Sequence, residues 1–352
     1  MGFTVLGQPR ALRILTSAHA GGRVAHAYLF AGPEHTGKTL TALQFAQLLN
    51  CTGEQPPCGR CRQCEQIASG AHADVEIIGV GGLCDQEGHD HRKDDSKGIR
   101  ICQIRRLERV VSRAPYEGRY RVLIIEPADA LNREAEVALL KTLEEPPPHV
   151  VIILITAAED ALLDTIRSRA RRVPFGGMSR GEIELALRNR WDVDPSRAAA
   201  LARMSEGRFG WAVIALHDES LLERREATLA QIERLAQAPL AERFAFAAEV
   251  GGRYTRDRAA VHEMLALWRT WWRDILLIAS GRHQLALHHD RLDRLRPLAA
   301  RCEVTGAARA LRAIGETGEQ LRENASPILA LEALMLALPV LRVNPVAERI
   351  RG

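Results

Sequence analysis

No run approaches the ~18 uninterrupted apolar residues that a membrane-spanning helix needs, and the longest candidate, Pro327 to Leu341, is short and broken by Glu332. The N-terminal MGFTVLGQPR lacks the charged-then-apolar order of a secretory signal, so the sequence predicts a cytoplasmic protein without a membrane partner. Aromatic residues make up 5% of the chain and the net charge is only +4. That argues against a free-standing nucleic-acid binder, although weak basicity permits such contact. A disulfide framework is also missing: four of the seven cysteines crowd into Cys51–Cys64, and in a cytoplasmic protein such crowding points to metal binding. What remains is ordinary for a globular protein, 46% hydrophobic and 26% charged, and 352 residues allow two or three domains.

The most informative stretch is Gly32-Pro33-Glu34-His35-Thr36-Gly37-Lys38-Thr39. It satisfies G-x-x-x-x-G-K-S/T, a loop whose backbone N–H groups wrap nucleotide phosphates. In that geometry Gly32 and Gly37 free the backbone, Lys38 reaches the β/γ-phosphates and Thr39 ligates Mg²⁺. The context fits, because His26–Phe30 reads as a strand and Thr39–Asn50 repeats apolar residues at helical spacing. His35 stands where such a loop commonly carries glycine, and a side chain there restricts positive φ and close phosphate approach. ATP with Mg²⁺ is therefore an expected ligand, but the loop predicts the fold more firmly than it predicts binding.

Taken in order, residues 1–25 read as a helix opened at Gly7-Gln8, and Val75–Ile78 as a second strand. Residues 79–98 read as a glycine-rich, charged loop. Ile101–Ser112 is an amphipathic helix, Arg121–Glu126 a buried strand, Ala135–Leu143 a helix stopped by Pro146-Pro147-Pro148, and Val150–Thr156 another apolar strand. Ala161–Ser168 begins the next helix. Apolar strands alternating with helices indicate an α/β domain with a parallel sheet over residues 1–175. From about residue 176 the strand pattern disappears, and 176–220 and 221–352 read as a small and a larger all-α part.

Cys51, Cys58, Cys61 and Cys64 have the spacing of a structural Zn²⁺ site, closed by four thiolates. Cys84, His89 and His91 carry ligand types too, but without a standard spacing, and read as part of a polar loop. Glu126 ends its strand where a P-loop ATPase places a Mg²⁺-side acid. The following Pro127 cannot orient an attacking water, and Asp129 reads as a cap for the next helix, so weak or absent hydrolysis by the chain's own site is expected. Thr156 closes its strand at the sheet's carboxyl edge, where it either touches a γ-phosphate or acts as a strand-end hydroxyl. The cationic run Arg167–Arg172 reads as a solvated face or as an arginine finger for another subunit's ATP.

The order of GPEHTGKT, the four cysteines, APYEGRYRVLIIEPAD, LLKTLEEPPPH and TIRSRA resembles the bacterial DNA polymerase III clamp-loader subunits. That resemblance implies an α/β P-loop AAA+ domain, a helical lid and a helical collar. It also implies other clamp-loader subunits (gamma/tau and delta) as partners, with the sliding clamp and primer-template DNA reached through the complex. Three departures favour the delta-prime stator type over the gamma/tau motor type. Glu126-Pro127 replaces an acid pair, the lid arginine expected within residues 207–211 falls on Gly210, with Arg208 nearby, and no long tail follows the collar. By resemblance, Arg169 acts as a finger in trans, and the neighbouring Ala170, normally cysteine, is harmless to that chemistry. An active motor and a zinc-module DNA-binding protein with a vestigial P-loop are the alternatives. A metabolite-directed P-loop enzyme leaves LLKTLEEPPPH and the cysteines unexplained.

Overall fold

The computed structural model describes residues 2–85, 91, 98–254, 256–323 and 325–341. His89 and residues 342–352 of the expected collar lie outside the described residues. The chain divides into two compact units, Met1–Val213 and Ile214–Gly352.

In the first unit the elements run α1 (Pro9–Ala20), β1 (Ala27–Ala31), α2 (Lys38–Asn50), α3 (Arg62–Ala68), β2 (Val75–Ile78), α4 (Ile101–Val111) and β3 (Arg121–Ile125). They continue with α5 (Arg133–Glu144), β4 (Val150–Thr156), α6 (Asp164–Arg169), β5 (Arg171–Pro174), α7 (Arg180–Trp191) and α8 (Pro195–Met204). α9 (Phe209–His217) runs across the division. The five strands form one parallel sheet in the order β2-β3-β4-β1-β5. β1, β3 and β4 are buried along their whole length, as apolar strands covered on both faces must be.

Alternate residues face opposite layers. Leu29, Leu123, Ile125, Ile152 and Leu154 pack with α4 and α5, whereas Tyr28, Phe30, Ile124, Ile153 and Ile155 pack with α1 and α2. The segment joining α4 to β3 is held by Asp74, whose carboxylate accepts N–H groups of Tyr116, Glu117 and Gly118 at 2.8–2.9 Å and Arg121 at 2.9 Å. Burial alone would raise this carboxyl, but those donors outweigh it and hold it below the usual carboxylate range.

Several expectations need adjustment. The first helix begins only at Pro9, whose fixed φ suits a first helical turn, while Thr4 and Val5 instead donate to Gln44 Oε1 at 3.0 and 3.4 Å. The helix expected from Ala161 starts at Asp164, after a 3₁₀ turn over Glu159–Ala161. Asp129 does not cap α5; Asn132 does, accepting Ala135 N–H at 2.9 Å. β5 begins within the run read as a charged face, at Arg171 and Arg172. Among the described residues it is an edge strand paired to β1 alone, its arginines are exposed, and its last residue is a proline that an edge tolerates.

The second unit is helical, with α10 (Glu219–Leu235), α11 (Leu240–Arg253), α12 (Arg258–Ala279), α13 (Leu292–Ala299), α14 (Val304–Arg322) and α15 (Pro327–Ala337). Its core is built on α12, from which Trp268, Trp271 and Trp272 are wholly buried. Arg243, 1% exposed, donates to the carbonyls of Leu235, Ala236, Met335, Leu338 and Pro339. The guanidinium thus satisfies the orphan carbonyls at the ends of both α10 and α15, where the helix dipoles favour a cation.

Candidate functional site

β1 delivers the chain to the P-loop at the sheet's carboxyl edge. Gly32 has φ +153°, and a Cβ there would stand 2.2 Å from the Phe175 carbonyl oxygen, so glycine is required. Gly37, at φ 87°, precedes α2 and turns its N-terminus towards the loop. His35 adopts φ 57°. The position thus does demand the left-handed region, and histidine bears the steric cost that glycine would avoid.

Lys38 is 6% exposed, and its ammonium donates to the carbonyls of its own loop, Gly32 at 2.7 Å and Pro33 at 2.6 Å. Burial lowers its pKa, with Glu34, Glu126 and Asp129 partly offsetting this. The Thr39 hydroxyl donates to Glu126 Oε1 at 2.6 Å. β4 lies between β1 and β3, so the acid ending β3 reaches the start of α2 across an intervening strand. Thr156 ends that strand; its hydroxyl donates to Asp129 Oδ1 at 2.5 Å and accepts Ala158 N–H at 2.9 Å. In this structure Thr156 is therefore a strand-end hydroxyl that also engages Asp129.

The loop is covered by α9. Gly210 N–H donates to the His35 carbonyl at 2.8 Å, and a Cβ on Gly210 would lie 2.7 Å from that oxygen. No side chain fits between them. Arg208 is engaged elsewhere, with Nε on the Ser205 carbonyl at 3.1 Å and the guanidinium 5.9 Å from the Trp211 ring centroid. The residues present fit a nucleotide in part: the loop backbone, Lys38 and the Thr39–Glu126 pair are in place, while α9 offers a backbone N–H at the loop rather than a cation.

Arg169 closes α6. It donates to the Thr165 carbonyl at 3.0 Å and pairs with Glu144 at 2.8 Å, its side chain remaining 36% exposed. The adjoining cations are more tightly held: Arg167 by Asp160 and Asp164, Arg172 by both oxygens of Glu159 at 2.6 and 2.7 Å. Ala170 is buried among the residues packed on α5 and α6.

The four cysteines meet as their spacing predicts. The sulfurs of Cys51, Cys58, Cys61 and Cys64 all lie within 4.8 Å of one another, with Cys51 and Cys61 at 4.0 Å. Tetrahedral Zn–S bonds of ~2.3 Å set sulfurs ~3.8 Å apart, so an ion fits with little movement. Backbone N–H groups of Gly53 and Cys58 point at Cys51 Sγ, and that of Cys61 at Cys58 Sγ. At Cys61 burial is outweighed by such N–H groups and the thiol drops to about 6, while burial pushes Cys64 up to about 12. Four sulfurs so close together cannot all ionise without a cation among them, and the cluster can hold a metal.

A family model described as DNA polymerase III, delta subunit, matches residues 7–179. The delta' subunit of DNA polymerase III from Bacillus subtilis (strain 168) is 29% identical over 332 residues, covering 94% of this chain and 96% of that one. Its counterpart from Pseudomonas aeruginosa is 32% identical over 235 residues, covering 63% and 67%. The gamma/tau subunit of Mycobacterium tuberculosis (strain ATCC 25618 / H37Rv) is 36% identical over 173 residues, but these are 49% of this chain and 28% of that one.

Proposed function

Because the chain belongs to the DNA polymerase III clamp-loader family, and its likeness to the Bacillus subtilis delta' subunit runs over nearly the whole of both chains, we propose that it is the stator of a clamp-loader ring. In this reading residues 176–220 are the lid and 221–352 the collar that joins gamma/tau and delta subunits. The ring loads a sliding clamp on primed DNA. Arg169 reaches the ATP of an adjacent motor subunit, where its planar fork neutralises charge that builds on the transferred phosphoryl group.

One contrast carries the reading. Lys38 is consumed by its own loop and Gly210 seals that loop from above, whereas Arg169 stands half-exposed against Glu144. If a nucleotide is held in this chain, Lys38 and the loop N–H groups bind its phosphates, and Thr39 with Glu126 holds its Mg²⁺. No second acid stands at Pro127, so the bound nucleotide is structural. The thiol cluster takes Zn²⁺, which closes it without an open ligand position.

The test is ATP turnover by a reconstituted clamp loader carrying Arg169→Ala or Lys38→Ala in this subunit only. A large loss with Arg169→Ala and a change within about two-fold with Lys38→Ala fits a stator acting in trans. A loss with Lys38→Ala makes the chain a motor and overturns the reading.

A further inference from the structure

A second ligand cluster forms away from the P-loop and the four cysteines. Cys84 leaves β2 on the segment after Ile78, His91 follows later in the same segment, and Cys102 sits in the first turn of α4. One ligand atom from each lies within 4.8 Å of the other two, and His91 Nε2 is 2.9 Å from Cys102 Sγ. Cys84 is 7% exposed and His91 4%. Spacing had grouped Cys84 and His91 with His89 as a polar loop; His89 lies outside the described residues, and the fold brings in Cys102.

We propose that Cys84, His91 and Cys102 bind a thiophilic divalent ion, Zn²⁺ in class, that staples the segment after β2 to α4. Two thiols and an imidazole are the donors a borderline-soft ion selects. The surrounding sequence, GVGGLCDQEGHDHRKDDSKG, is too polar and glycine-rich to bury these groups by apolar packing. The backbone already prepares the closure: His91 N–H donates to the Gly82 carbonyl at 2.8 Å, and Asp85 N–H to the Cys102 carbonyl at 3.1 Å. Gln103, 2% exposed, donates to the carbonyls of Gly79 and Gly81. A tetrahedral ion sets nitrogen and sulfur ~3.6 Å apart, so His91 and Cys102 part by ~0.7 Å on binding. Both thiols lose their protons to solvent as the ion enters, and the imidazole binds neutral. The clip removes loop-closure entropy from the segment that follows β2, whose last residue, Ile78, accepts the Glu126 N–H at 2.9 Å. It does not depend on the stator reading.

The experiment is the zinc content of the full-length chain, purified without chelator, with zinc-edge X-ray absorption on the same samples. Wild type should hold two ions per chain, and imidazole scattering, which a four-thiolate site cannot supply, should be present. Cys84→Ser/Cys102→Ser should retain one ion and lose the imidazole signal, while Cys58→Ser/Cys61→Ser should retain one ion and keep it. One ion per wild-type chain with sulfur scattering alone overturns the proposal, and so does a Cys84–Cys102 disulfide in unreduced protein. Should a double variant fail to fold, the wild-type count and the imidazole signal still decide the matter.

Discussion

Lys38 and Arg169 are both cations of the kind that meets phosphate, and they lie in the same α/β unit under opposite conditions. Lys38 is enclosed, its ammonium divided between two carbonyls of its own loop, and burial pulls its pKa down. Arg169 sits at a helix end where, among the described residues, a half-exposed Glu144 is its one carboxylate partner. An exposed pair of that kind stabilises a fold by about 0–1 kcal/mol, so little is lost if Arg169 leaves it for a phosphate on another subunit, as proposed. The α9 cover repeats the contrast, since Gly210 presses an N–H onto the loop at the His35 carbonyl. A catalytic cation for another chain must be cheap to release; a structural one need not be.

The sharpest way to break this contrast is Arg169→Lys. It keeps the charge and loses the planar fork, and if the fork matters, turnover at the neighbouring site it is proposed to complete should fall by about 10³-fold, as with loss of an arginine finger. Near-normal turnover would reduce Arg169 to a point charge. Next in size is Gly210→Ala, whose Cβ would meet the His35 carbonyl at 2.7 Å. Overpacking there should lower the stability of the full chain by about 1–3 kcal/mol, read by denaturant unfolding, and leave ring turnover almost unchanged. A matching loss of turnover would mean that the covered loop takes part in catalysis.

Glu144→Ala tests the other side of the contrast. Freed of its partner, Arg169 should support ring turnover at or slightly above the wild-type rate, and stability should change by less than about 1 kcal/mol. A tenfold fall in turnover would show that Glu144 aims the guanidinium rather than merely parking it. The smallest effect belongs to His35→Gly. Relief of the left-handed strain, about 1–2 kcal/mol, is offset by glycine's extra chain entropy of about 0.5–1 kcal/mol. The net gain should stay below about 1.5 kcal/mol, while ATP affinity measured by calorimetry should rise. Unchanged affinity would locate the limit at Lys38 and its carbonyls.

Much of this protein was legible before its fold. The P-loop and the first four cysteines were readable because each set of ligands is contiguous, so local geometry alone brings them together. The central strands were readable because burial on both faces leaves an apolar run. β5 was not, because an edge strand paired on one side can carry Arg171 and Arg172, and so looks like a charged surface. The role of Asp129 was misread for a related reason: its hydrogen-bonding partner, Thr156, comes from the next strand of the sheet.

The sequence by itself determined the parallel α/β unit, the helical remainder, the closed thiol site and the family. Those rest on periodicity and on spacing within single segments. Only the tertiary structure decided that Lys38 turns inward, that Gly210 seals the loop at His35, that Glu144 holds Arg169, and that Cys102 joins Cys84 and His91. Each of these unites residues from separate segments, and no spacing along the chain encodes where the sheet and its covering helices bring their ends together.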